Sequence, residues 1–357
     1  MTPDPDAFAN LLCDWCLEAR EGDYVLVSTT TLAAPLIRAV HRALIIRGAW
    51  APGVRIAVPG LAEDFYRLAS DELLDNFPPL ELAEVERADA FLGIQAPENT
   101  RALAGTDPTR LARAARAREP VRELRLAKRW CGTIWPTPAL AQDAGMSSED
   151  YAAFVNRALF LDRPNPVAAW RELNDRQSSL VERLSEAREI RIEAEGTDVR
   201  LRVDGRTWVN SNGKHNMPSG EVFTGPLEDS ASGTIRFTIP SNPRGVLVEG
   251  VEVTFEDGRV TKATADRGQA YLDAALTTDP GARFLGELGI GTNVGIDRAT
   301  GSTLLDEKMA GTVHLALGRS YTETGGRNKS ALHWDLICDL RAGGRLSADG
   351  ESIAVVG

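Results

Sequence analysis

At Ile190 the hydrophobic pattern of this 357-residue chain changes period, and that change limits the possible folds more than any other feature. Upstream, short β-branched runs alternate with longer stretches of helical spacing. Residues 24–28 (YVLVS) read as a buried strand, 54–58 (VRIAV) as a second strand and 90–95 (AFLGIQ) as a third. Between them, residues 32–46 carry Leu36, Ile37, Val40, Ala43 and Leu44 on one side of a helix, and a second helical stretch covers 61–74. Strand, helix, strand at this spacing is the pattern of crossover units around a parallel sheet. A further helix starts at Ser147 to Asp150 (SSED), with Tyr151, Phe154, Val155 and Leu159 as its apolar stripe, and another follows Pro166 to about Arg188. From Ile190 onward the period is two. Ile190, Ile192 and Ala194 alternate with charged residues, as do Val199, Leu201 and Val203, and strands are expected over 234–239, 246–248, 251–255 and 260–263. A helix over 269–276 interrupts them. The expected fold is an α/β N-terminal domain over residues 1–135, a helical connection over 136–189, and a mainly antiparallel β (α+β) domain over 190–357.

Charge and composition then remove whole classes of function. A formal net charge of -11 argues against nonspecific nucleic-acid binding, which needs a surplus of Lys and Arg. The basic stretch between Arg110 and Arg129 has Ala and Leu at helical spacing and is interrupted by Glu119 and Glu123, so it reads as a solvated helix face. No run approaches the roughly 18 apolar residues of a membrane span, and the start MTPDPDAF has no basic or apolar signal region, so a cytoplasmic protein is expected. No G-x-G-x-x-G follows the first strand, which leaves no reason to invoke a dinucleotide. Cys13 and Cys16 form a C-x-x-C, but Phe8, Leu11, Leu12, Cys16 and Leu17 share helical spacing, and no second C-x-x-C completes a zinc site. They read as core residues.

The chain has four histidines, and two lie near its end in apolar, strand-like segments. His314 sits in TVHLALG, and His333 in ALHWDLI. In His333-Trp334-Asp335 the imidazole and the carboxylate project from one strand face while Trp334 points to the other. Taken singly, such a pair is more often a hydrogen-bonded structural one. Two further carboxylates change that balance. Glu287 precedes a turn-rich Gly289-Ile290-Gly291, and Glu221 ends an irregular loop that begins at His215. Glu221, Glu287, His314, His333 and Asp335 are too many ligands for one tetrahedral zinc and suit two divalent ions sharing a bridging carboxylate.

The segments HNMPSGEVFTGP (215–226), GELGIGTN (286–293), LDEKMAGTVHLALGRSY (305–321) and ETGGRNKSALHWDLI (323–337) resemble those of the aminopeptidase T family of metallo-aminopeptidases. The segment WPTPALAQDAGMSSEDYAAF (135–154) resembles the family as well. The resemblance implies an N-terminal α/β domain, a C-terminal domain with a two-metal site, and a homodimer enclosing its active sites in a cavity. It implies Glu221, Glu287, His314, His333 and Asp335 as ligands of two divalent ions, among which zinc, cobalt, manganese and magnesium all accept such donors. Tyr321 falls at the family's tyrosine beyond the first histidine, where it would donate to the oxyanion. Glu307 resembles another acidic site residue, with a longer stretch to His314 than in the best-known members. The 321–333 loop is shorter than theirs. His215 matches no family ligand and reads as structural or outer to the ligands, and Lys214, Lys308 and Lys329 read equally well as salt-bridge partners.

The implied reaction is hydrolysis of peptides with a free N-terminus, with Glu287 preferred as proton carrier. Two other readings use the same residues. His314, His333 and Asp335 could supply the two-His, one-carboxylate set of a mononuclear Fe(II) ring-cleaving dioxygenase of the dihydroxypyridine type, which has no use for Glu221 and Glu287. A catalytically silent binding protein on the same scaffold would be expected to lack some of the five ligands.

Overall fold

The computed structural model describes residues 2–354. They divide into two compact units, one made by the residues up to Trp170 together with Gly213–Pro218, the other by Arg171–Asn212 together with the residues from Ser219 onward.

In the first unit β1 (Val25–Thr29), β2 (Gly53–Ile56), β3 (Ala90–Gln95) and β4 (Arg129–Ile134) run parallel in the order β2-β1-β3-β4. Val25, Leu26 and Val27 are all buried, as parallel strands covered on both faces require. Helix Ala34–Ile46 buries Leu36, Ala39, Val40, Ala43 and Leu44, the stripe its spacing announces. The helix expected over 61–74 is instead two, Leu61–Leu68 and Asp71–Leu74. Ser70 breaks it: its backbone is extended and its hydroxyl caps the second helix by accepting from the Leu73 N–H.

Cys13 and Cys16 are buried in the helical stretch formed by Pro5–Leu11 and Leu12–Cys16. Burial pushes the Cys13 thiol up to about 12, which suits an inert core residue. The basic stretch forms helices Pro108–Ala117 and Glu119–Leu126, where Arg113 pairs with Asp71 and Asp75 and Arg122 with Glu119. Its positive charge is met by acidic neighbours in the same unit, as the solvated-face reading expects. His215 stacks on Trp130 and Lys214 pairs with Glu18, so both have structural partners.

Beyond helix Pro166–Ser185 the chain runs through β5 (Glu189–Ala194), β6 (Thr197–Arg202), β7 (Val209–Ser211) and β8 (Asn216–Met217). The last of these returns to the first unit and pairs in parallel with β4. Then follow β9 (Glu221–Thr224), β10 (Ser232–Arg236), β11 (Glu252–Glu256), β12 (Arg259–Thr264) and β13 (Leu285–Gly291). The last strands are β14 (Thr312–Gly318), β15 (His333–Asp339), β16 (Arg345–Ala348) and β17 (Glu351–Ile353). They build two antiparallel sheets in the second unit, ordered β12-β11-β10-β6-β5-β16-β17 and β15-β14-β13-β9-β7. Ile190, Ile192, Val199 and Leu201 of the first share one core with Leu288, Ile290, Val313 and Leu315 of the second.

In the second unit the sequence pattern misleads at two further places. The run at 246–248 forms no strand; Val248 makes one antiparallel bridge with Ser241, and β10 stops at Arg236 short of the expected 239. Pro240 and Pro243 remove ladder donors here. Glu287 to Gly291, expected to be turn-rich, is the central strand β13, buried along its whole length. Its glycines serve close approach: a Cβ on Gly286 would lie 2.2 Å from the Arg319 carbonyl oxygen, and one on Gly291 2.1 Å from that of Met309.

Candidate metal centre

Strand alternation gathers the site. On β13, β14 and β15, Leu288, Ile290, Val313, Leu315, Trp334 and Leu336 enter the core. The intervening residues project from the opposite face, which carries Glu287, His314, His333 and Asp335. Register brings them together. Glu287 pairs with Ala316, which pairs with Asp335, so only a methyl group stands between the two carboxylates. Gly291 pairs with Glu221, which opens β9. Glu221 is fixed from both sides: its carbonyl accepts from Gln177 Nε2, and the preceding Gly220 packs against Asn293, whose Nδ2 donates to the Ser219 carbonyl at 2.8 Å.

All five sequence-predicted ligands and Glu307 therefore meet on one sheet face. His314 Nε2 lies 3.4 Å from Glu287 Oε1 and 3.5 Å from Glu221 Oε2, while His333 Nε2 lies 3.5 Å from both Glu287 Oε2 and Asp335 Oδ1. Such separations are long for hydrogen bonds. They match donor atoms bound about 2.1 Å from one tetrahedral ion, which stand roughly 3.4 Å apart. Glu221 Oε2, His314 Nδ1 and Asp335 Oδ1 are buried with no hydrogen-bond partner among the described residues. His333 is oriented as ligating imidazoles are: its Nδ1 faces the Arg319 carbonyl oxygen at 2.7 Å, which can only accept, so Nδ1 carries the proton and Nε2 faces the carboxylates. Among the described residues two donor sets are compact enough for an ion, Glu221 with Glu307 and His314, and Glu287 with His314 and Asp335. The donor set fits divalent cations.

The chain matches the family model described as thermophilic metalloprotease (M29) over residues 3–356. It belongs to that family. Aminopeptidase 2 of Geobacillus stearothermophilus is 32% identical over 349 residues, covering 88% of this chain and 83% of the relative. Aminopeptidase T of Thermus thermophilus is 28% identical over 340 residues, covering 86% and 82%. The solved structure of wild-type AmpT from Thermus thermophilus superposes with a TM-score of 0.84 at 26% identity, over 98% of this chain and 96% of that one. The resemblance to the aminopeptidase T family is thus borne out, as is the α/β plus antiparallel β architecture it implies. No helix among the described residues is long and apolar enough to cross a membrane.

Electrostatics in this M29 protein follow from crowding acids out of water. Burial raises Glu287, and it pushes Glu307 up to about 8 against the pull of Lys308. Burial alone would lower His314 and His333, but Glu287 and Glu221 outweigh it for the first and Asp335 and Glu287 for the second, so both rise to about 9. Asp335 is lowered: burial opposes ionisation, yet the adjacent His333 imidazole, with the charges of His314 and Lys308, prevails. Four carboxylates, Glu221, Glu287, Glu307 and Asp335, thus draw cations or protons into one pocket, and ligation would put a cation where the imidazole protons sit.

Three placements refine the sequence reading. Tyr321 lies at the rim, 39% exposed, its ring centroid 5.1 Å from that of His333 and 5.6 Å from that of Phe223. Burial of its hydroxyl and the nearby acids hold the phenol well above its usual range. Lys308, one of three lysines read as salt-bridge partners, is fully buried against Glu221 and Glu307. Asp306 is buried too, accepting from the Thr300 N–H and hydroxyl and the Gly301 N–H, and burial pushes it up to about 6. It ties down the loop leading to Glu307. Nothing in the local spacing sets Asp306 apart from a surface acid, because its partners Thr300 and Gly301 lie upstream in a folded-back loop.

Proposed function

We propose that this chain releases the N-terminal residue of peptides with a water activated between two divalent ions, zinc, cobalt, manganese or magnesium, held by Glu221, Glu287, His314, His333 and Asp335. Membership of the M29 family makes it a metal-dependent hydrolase, and relatives named aminopeptidase 2 and aminopeptidase T supply the reaction class. The observation that supports the two-ion reading is that one carboxylate, Glu287, presents Oε1 to His314 and Oε2 to His333, with Glu221 and Asp335 to either side.

Bound there, divalent ions supply Lewis acidity toward the scissile carbonyl and bring the pKa of water toward neutrality. The side chains orient and move protons. Glu287 turns Oε1 to His314 and Oε2 to His333, which favours it as the carboxylate shared by both halves of the site. That leaves Glu307, rather than the Glu287 preferred from the sequence, to pass the proton from water to the leaving amine. Tyr321, at the rim beside His333, donates to the oxyanion as the carbonyl carbon becomes tetrahedral. The substrate's free amine is drawn by the acidic pocket. The proposal includes a homodimer in the cytoplasm, the first of which sedimentation of the purified protein tests.

Metal content per chain, measured alongside amino-acid release from short peptides with free and acetylated N-termini, tests the reaction. Two equivalents at saturating metal and release from the free peptides alone are expected. One tightly held iron, with oxygen consumed on a dihydroxypyridine, would overturn the proposal in favour of the oxygenase.

A further inference from the structure

Lys308 is the side chain whose placement the hydrolytic mechanism does not require. It is completely buried, with its Nζ 3.2 Å from Glu221 Oε1 and in contact with Glu307 Oε1. A dry ammonium is costly unless paired, and this one is paired twice. The backbone holds it there. The Lys308 carbonyl accepts from the Asn293 N–H at 2.9 Å, and the bare Gly291 lets the 308–309 peptide press against β13, since a Cβ there would lie 2.9 Å from the Lys308 carbonyl carbon.

The two carboxylates that Lys308 engages are also two of the three donors in the Glu221, Glu307 and His314 set. Glu287 and Asp335 face His314 and His333 instead. The two halves of the site are therefore unequal before any ion arrives. One already contains a positive charge among its acids.

We propose that Lys308 is a built-in monovalent cation occupying part of one metal position, so that the first divalent ion binds tightly on the side of Glu287, His333 and Asp335 and the second binds weakly at Glu221 and His314, beside Glu307. The inference rests on the two-ion reading. A second ion must move the ammonium away from Glu221 or share that carboxylate with it. At separations of a few ångströms in a water-poor pocket, like charges repel strongly. The loss appears in the affinity of that ion alone.

Titration of the metal-stripped, full-length protein with Zn²⁺, followed by calorimetry and native mass spectrometry, tests this without reference to turnover. Wild type should show a broad range of Zn²⁺ concentration in which the one-ion form dominates, with the second ion at least about tenfold weaker. Lys308→Met should tighten the second uptake by about tenfold or more and narrow that range, while Lys308→Arg keeps it. Lys308→Gln replaces the Met variant if circular dichroism shows the latter unfolded. Two ions entering wild type with equal affinity overturn the inference whatever the variants do, as does an unchanged gap in a folded neutral variant. Failure of wild type to take up any Zn²⁺ overturns the metal reading itself, and this inference with it, and is distinguishable from both.

Discussion

Gly289 on β13 lies directly opposite His314 on β14, and a Cβ on Gly289 would come within 2.0 Å of His314 Nε2. The imidazole occupies the volume a side chain would take, and from there it reaches both Glu221 and Glu287. Gly289→Ala should therefore push the ring off its carboxylates. Overpacking of this kind costs about 1–3 kcal/mol, seen as a lowered Tm. Metal affinity should fall by about 10–100-fold, as when a ligand's support is disturbed. Elemental analysis of the purified variant checks it; a wild-type metal content would mean the ring has room to spare.

Removing the metal should have two separable effects. Dialysis against a chelator is expected to abolish peptide hydrolysis, and Zn²⁺, Co²⁺ or Mn²⁺ should restore it. The same treatment should lower Tm, because an ion bound only to the native state stabilises it by about 2.7 kcal/mol at 100 times its Kd. Without a bound ion the buried acids face the charge of Lys308 and the imidazoles in its place. Full turnover in chelator, with metal content verified at zero, would rule out metal-dependent hydrolysis.

How much of this was legible in the sequence depends on whether a residue's role is local or crosses strands. His333 and Asp335 were readable because a period of two fixes their common face within one segment. The parallel strands of the first unit were readable because each is a short β-branched or apolar run set between stretches of helical spacing. Glu287 was found, but its setting was misjudged: Gly289 and Gly291 signal turns locally, whereas here they leave space for His314 and the Met309 carbonyl from other segments. Lys308 was indistinguishable from Lys214, and only the chain's return past β13 reveals that one is buried among acids while the other sits on a tryptophan ring. Pattern gives a face; it does not give the neighbour.

His333→Ala separates ligand from scaffold. The ring is 15% exposed; Tyr321 packs edge-on against it, and the hydrogen bond from Nδ1 to the Arg319 carbonyl is worth about 1 kcal/mol. The variant should stay folded by circular dichroism. Metal content and peptide hydrolysis should fall together, and excess Zn²⁺ should recover part of both. Normal turnover at full metal content would make His333 a structural residue.

Tyr321→Phe tests the transition state rather than the site's assembly. The side chain is 39% exposed and packs edge-on against His333 and Phe223, contacts that a phenylalanine ring reproduces. Stability and metal content should therefore stay at wild-type values. Only the hydroxyl is lost, and its phenol proton is firmly held, because burial and the nearby Glu287 and Asp335 disfavour ionisation. A donor that strengthens its hydrogen bond only as the carbonyl oxygen gains charge leaves ground-state binding alone. Removing one such donor lowers kcat by about 100-fold or more with little change in KM. A tyrosine that merely shapes the rim would behave in the opposite way, changing KM for bulky N-terminal residues while leaving kcat intact. Steady-state kinetics on a short peptide amide distinguish the two, and an unchanged kcat in the Phe variant would assign the oxyanion to another donor.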